Sequence, residues 1–156
     1  MSKSNTSFNP TELAQQVLES TYLMSIATIH ADSPWVADVV FIHDEKFNIY
    51  WISKTNTRHS RNIELCRNVA ATITQSINQG EDNIGLQLEG TAMRVRGNLG
   101  LVTRHLTKRR KLTPENIRDF LGPGVSWYKL TPTLIELIYE PIWGYDKQLV
   151  LGSKIS

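Results

Sequence analysis

One cysteine, Cys66, stands in a chain of 156 residues, so no disulfide can form within it. A reducing compartment is the usual setting for such a chain. No apolar run approaches the ~18 residues that a membrane-spanning helix needs. The opening "MSKSNTSFNP" lacks the apolar core of a signal peptide, so a cytoplasmic protein is expected. Neither sign of charge prevails: 17 lysines and arginines against 15 acids leave a formal +2, with no strong field for nucleic acid. His30, His43, His59 and His105 are scattered and Cys66 has no partner at ligand spacing, which speaks against a metal site. Serine elbows, triad orders, internal repeats and domain linkers are all missing.

What remains is a globular composition, 40% hydrophobic with four tryptophans, at the usual length of one domain. Residues 1–9 are polar and expected to be loose. Pro10 and Thr11 open a helix that sets Leu13, Ala14, Val17 and Leu18 on one face. "TYLMSIATIH", "WVADVVFIH" and "NIYWIS" read as strands, with "ADSP" and "DEKF" as the turns between them. "RNIELCRN" reads as a short helix and "VAATITQSI" as another strand. In "IGLQLEGTAMRVRG", Leu86 and Leu88 share one parity while Met93 and Val95 share the other. A bulge or bend is therefore expected near Gly90. "LGLVTRHLTKRRKL" suits a helix with Leu99, Val102 and Leu106 on its buried stripe. "TPENIRDFLG" suits a second, capped by Thr113 with Pro114 in its first turn and ended by Gly122. "SWYKLTP" and "TLIELIYEP" read as two more strands, with the shorter "KQLVLG" a candidate for a last one. These elements predict a mainly β fold, a small closed or partly closed antiparallel barrel with short flanking helices.

Chemistry concentrates in "SKTNTRHSRN", Ser53 to Asn62, where every residue is polar. A strand ending at a helix start gathers unpaired N–H groups and the positive end of the helix dipole. Thr57 or Asn56 can cap that helix, leaving Arg58 and His59 in its first turn. Cations oppose the dipole there unless an anion joins them, which points to a phosphate or carboxylate ligand. Ser53 and Lys54 add donors, and Arg61 is near enough in sequence to reach back. An ordinary solvated cap would explain the hydroxyls alone.

Other candidates have plainer explanations beside them. Tyr50 and Trp51 could serve a flat aromatic cofactor or simply fill core and surface. Asp38, in an apolar strand, needs a partner if buried, or accepts from a ligand. Gln87 and Glu89 face water or a cavity. The cations of Arg104 to Lys111 lack interleaved aromatics and suit a solvated helix face better than a nucleic-acid contact.

Taken in order, "SPWVADVVFIHDEKFNIYWISKTNTRHSRNIELCRNVAATI" followed by "LQLEGTAMRV" resembles the pyridoxamine 5′-phosphate oxidase-like family, whose members share a flavin-binding split barrel. The resemblance runs from Leu13 to about Val95, and "WYKLTPTLIELIYE" is in keeping with it. It implies a homodimer with two flavin mononucleotide (FMN) sites at the subunit interface, and an FMN-dependent oxidoreductase. It places Ala37, Asp38 and Val39 alongside the isoalloxazine. Tyr50, Trp51, Ile52 and Ser53 match the strand whose end meets ring and phosphate. Thr57, Arg58 and His59 match the residues that hold the phosphate, and Gln87 falls near the flavin-facing strand. Catalytic residues are not implied.

Three departures matter. Ala37 and Ile42 stand where the oxidase proper carries an arginine and a lysine. His59 replaces a lysine, making that charge depend on pH. The oxidase's basic C-terminal substrate motif is absent from "PIWGYDKQLVLGSKIS". A substrate other than pyridoxamine phosphate is therefore expected. The same barrel type also holds haem or a deazaflavin, so the alternative is a carrier or sensor module without turnover, with His30, His43 or His105 available to iron.

Overall fold

A computed structural model describes residues 7–111 and 118–153. The first helix, α1 (Pro10–Ser20), starts where expected, with the Asn9 side chain accepting from the Thr11 N–H at 2.9 Å. Its buried stripe is Ala14, Val17 and Leu18, with Leu13 packed at the margin. Then come β1 (Leu23–His30) and β2 (Ser33–His43), joined by a two-residue turn in which Ala31 and Asp32 both have positive φ. That is the conformation that matches the twist of a hairpin. The second strand thus starts at Ser33, earlier than the "WVADVVFIH" boundary. After β3 (Ile49–Lys54) follow α2 (Arg58–Leu65), β4 (Asn68–Thr74) and β5 (Ile84–Val95). The C-terminal part holds α3 (Leu99–Lys108), α4 (Arg118–Leu121), β6 (Val125–Tyr139), α5 (Glu140–Trp143) and β7 (Gln148–Leu151).

The strands pair antiparallel in the order β3-β2-β1-β4-β5-β6-β7, and an additional β3–β6 pairing closes six of them into a barrel. β7 is left as an extra strand on β6. Residues alternating along each strand fill the interior, among them Met24, Ile26, Phe41, Ile49, Trp51, Ile73, Leu86, Tyr128 and Leu137. A second, smaller cluster lies outside the barrel, where α3 and α4 cover Ile42, Val102, Phe120 and Trp127.

Three expectations change here. The two strands "SWYKLTP" and "TLIELIYEP" are one 15-residue strand, β6. It passes through Pro132 because the register shifts opposite Glu89 and Gly90, leaving Thr133 as the extra residue. The bulge therefore exists near Gly90, but on the neighbouring strand. β5 keeps Leu86, Leu88, Gly90 and Ala92 inward throughout. Met93 is exposed, while Val95 packs against the outer cluster. On α3, finally, Val102 and His105 are buried and Leu99 is exposed. His105 packs edge-on to Trp127 and Phe120, and burial, helped by the charge of Arg109, pushes its pKa down to about 4. A histidine held neutral in this way passes for an aromatic core residue, which its polarity hides from a hydrophobic count. Thr113 and Pro114 lie outside the described residues.

Gly90 is required at this bulge. A Cβ there would come within 2.3 Å of the Thr131 carbonyl oxygen and 2.8 Å of Pro132 Cα, both backbone atoms that cannot swing aside. Gly90→Ala should cost about 1–3 kcal/mol, the range for overpacking. A urea titration that gave an unchanged midpoint would contradict this.

Candidate functional site

Ladder pairing between β2 and β3 begins at His43↔Ile49 and ends at Phe41↔Trp51. Beyond that point the strands part. Ala37 to Val40 on β2 stay paired to β1 on one edge, and Ile52 to Lys54 on β3 stay paired to β6 on one edge. Among the described residues, no strand pairs with the two edges that face the resulting gap. Open N–H and C=O groups on such edges seek partners.

β3 feeds the gap through a tight turn into α2. Thr57 is the N-cap of α2, which settles the choice between Thr57 and Asn56, and the helix runs from Arg58 rather than from Arg61. The Thr57 hydroxyl does not cap. It donates instead to the Lys54 carbonyl at 3.0 Å, and it lies 2.8 Å from the Ser60 hydroxyl. The helix's first N–H groups are thus left without a side-chain acceptor, and its first turn holds no acid. His59 Nε2 lies 2.8 Å from Ser53 Oγ and 3.2 Å from Thr57 Oγ1, so three hydroxyls and an imidazole form one network. Burial lowers the His59 pKa, which favours the neutral ring at pH 7. An anion seated beside it would oppose that shift. Arg58 is exposed; its Nη2 donates to Ser33 Oγ at 2.9 Å and its guanidinium lies 4.5 Å from the centroid of the Trp35 ring.

The other sequence candidates fall in different surroundings. Trp51 is fully buried in the barrel, stacked on Tyr128 at 5.6 Å. Tyr50 and Ile52 point the opposite way, against the outer cluster, and the Tyr50 hydroxyl donates to Asp44 at 3.1 Å. From this strand only Ser53 brings a side chain to the network. Ala37 is half-buried and Val39 buried in the core; Asp38 is exposed and accepts from Ser25, its cross-strand neighbour on β1. Gln87 lies between Thr72 and Glu136 in the sheet and accepts from Lys147 at 2.5 Å, away from the β3–α2 junction. Ile42 belongs to the outer cluster. Lys54 and Arg61 are exposed.

Ser33, Trp35 and Ser60 join the site without having been singled out from sequence. Ser60 lies within the donor-rich stretch and was legible there. Ser33 and Trp35 stand more than twenty positions upstream, and only the fold brings them to Arg58.

Of the histidines, His43 is buried, with Nε2 3.0 Å from Glu19 Oε1, and His30 is exposed at the end of β1. No cluster of three metal-ligating side chains occurs among the described residues. A cleft of about 980 Å³ between α1, the β2–β3 turn and α3 is lined by Glu12, Glu19, Asp44 and Glu45 against His43 and Arg104. That excess of carboxylates does not suit a phosphate. No described helix is long and apolar enough to cross a membrane.

No protein-family model and no curated protein matches the chain. Solved structures do. A candidate pyridoxamine 5′-phosphate oxidase from Listeria innocua superposes with a TM-score of 0.64 over 83% of this chain and 98% of its own, at 14% identity. HutZ, the heme storage protein from Vibrio cholerae, gives 0.62 over 80% and 91%, at 17% identity. An F420 reductase gives 0.64 over 78% and 94%, at 18% identity. The chain therefore has the split-barrel fold of pyridoxamine 5′-phosphate oxidase-like proteins. These three share a fold while their names point to different ligands, so the fold alone does not select one.

Proposed function

We propose that this protein binds FMN in the gap between β2 and β3 and acts as an FMN-dependent oxidoreductase on a substrate other than pyridoxamine phosphate. The observation that carries this is the junction at Thr57: an uncapped helix start, without acids, surrounded by hydroxyls, an imidazole and an arginine. Each of these groups can donate to a phosphate, and the dipole at that end favours negative charge. Arg58 supplies the permanent cation, Ser53 and Thr57 supply hydroxyl donors, and His59 becomes a second cation when a phosphate raises its pKa. The open edges of Ala37–Val39 and of Ile52 and Ser53 offer backbone donors and acceptors to the polar rim of a flat ring. A bound flavin supplies the hydride or electron chemistry; the protein positions it and excludes water.

The protein is proposed to work as a homodimer with its cofactor sites at the subunit interface. Support comes from an apolar groove of about 440 Å³ on the outer face of β1, β4 and β5, lined in part by Ala27, Ile29, Pro34 and Ala70. Gln87, remote from Arg58 within one chain, would then serve the flavin-facing strand at that interface.

The test is a titration of purified protein with FMN and with riboflavin, followed by absorbance and by quenching of flavin fluorescence. Saturable binding, tighter for FMN than for riboflavin because only FMN carries the phosphate, is the expected result. Protein that stays colourless with excess FMN would refute the proposal. A second reading, a haem- or deazaflavin-binding module without turnover, draws support from the heme storage protein and the F420 reductase with this fold. Of His30, His43 and His105, only His30 is exposed and open to iron, since His43 and His105 are buried. A Soret band after incubation with hemin would select that reading.

A further inference from the structure

We propose that Trp35 and Ser33 are positioning residues for Arg58, fixing its guanidinium before a phosphorylated ligand arrives. The proposal rests on the phosphate site described above and adds two residues to its support.

Ser33 and Trp35 are two apart on β2, so they share a face. Further along the strand that same face carries Val39 and Phe41 into the barrel core. Toward the hairpin tip the core gives way to α2. Asn62 on that helix donates to Thr28 Oγ1 at 3.1 Å in a buried bond, and Thr28 is the cross-strand partner of Trp35. Arg58 precedes Asn62 by four residues, so both face the hairpin. The buried bond fastens α2 to the hairpin and brings Arg58 to the ring of Trp35 and the hydroxyl of Ser33.

Trp35 is 40% exposed, yet it is not idle surface. Tryptophan is the ring best suited to hold a cation over its face, and arginine the cation that most often stacks there. An unrestrained arginine loses much side-chain freedom when it captures a ligand. One already held by ring and hydroxyl loses less, and that difference appears as affinity. The stack leaves the remaining guanidinium N–H groups to meet the phosphate, since five donors are available and Ser33 takes one.

The test is a double-mutant cycle with Trp35→Ala and Arg58→Ala, reading the Kd for FMN. Trp35→Ala alone should raise Kd about two- to tenfold, the cost of immobilising one long side chain. Added to Arg58→Ala, it should change nothing, because the residue it positions is gone. Trp35→Phe, which keeps a ring face, should recover most of the affinity. Trp35→Leu, which keeps apolar bulk without one, should not, and it serves if the alanine variant folds poorly. Unchanged or tighter binding in Trp35→Ala would overturn the proposal, the latter by showing that the stack competes with the phosphate. Additive losses in the double variant would also overturn it, by marking a general structural role. If the unaltered protein binds no FMN, the phosphate site fails. If Arg58→Ala weakens FMN and Trp35→Ala does not, only the positioning role fails.

Discussion

Arg58→Ala should weaken FMN binding by about 1.5–3 kcal/mol, roughly 10- to 150-fold in Kd, while the ligand-free protein stays folded. The size follows from the chemistry removed: the permanent cation that opens α2, and with it the charge-assisted bonds a guanidinium makes to a phosphate. Ala37 and Ile42 offer no cationic replacement on β2, so the loss should not be shared out. The ligand-free protein loses less. Arg58 is exposed, and its stack on Trp35 is of the kind worth about 0.5–1 kcal/mol at a surface. For a chain of this size that is a melting-temperature change of no more than about 4 °C. Riboflavin affinity should be nearly untouched by the substitution. Equal FMN affinity in variant and parent would remove Arg58 from the site.

Trp51→Ala should do the reverse, destabilising the ligand-free protein by about 3–5 kcal/mol, the range for truncating a buried tryptophan. Trp51 is fully buried, stacks on Tyr128, and sits on the strand whose pairing with β6 closes the barrel. A domain of ordinary stability holds about 5–15 kcal/mol in total, so the variant would be near its unfolding threshold at 37 °C. Any loss of flavin would follow from loss of fold. Urea denaturation monitored by circular dichroism measures this, with Trp51→Phe as the variant that retains a stacking ring. A Trp51→Ala protein with an unaltered midpoint but abolished FMN binding would instead make the indole a ligand contact.

These two neighbourhoods show what could be read in advance. "NIYWIS" was legible as a strand with aromatic content, because β-branched and aromatic residues between turn signals mark one. Which of its residues faced a ligand was not legible. Strand parity assigns Tyr50 and Trp51 to opposite faces, but both faces here are covered, one by the barrel interior and one by α3 and α4. The donor-rich stretch from Ser53 to Asn62 was visible as chemistry, and the structure gathers Ser53, Thr57, His59 and Ser60 into one network. Asp38, in an apolar strand, called for a partner only if it were buried. It is exposed and bonded to Ser25, because alternation along β2 turns Val39 and Phe41 into the barrel and Asp38 to its outer face.

The bulge teaches the same lesson more sharply. A change of apolar parity in β5 pointed to the right place for the wrong reason. Val95 is apolar because an outer cluster exists for it to cover, and the extra residue that bends the sheet is Thr133 on β6. Patterning marks a residue as apolar; it does not say which of two cores buries it, or, for Met93, that either does.

Local chemistry by itself marked most of the strands and helices and the collection of donors that start α2, since each depends on neighbours within a few positions; the need for glycine at position 90 comes from Thr131 and Pro132 on β6. Only the tertiary structure decided where β2 and β3 part, which side chains remain free at that gap, and that Ser33 and Trp35 meet Arg58. The last of these are contacts across more than twenty residues of chain, and all of them arise from how the barrel closes.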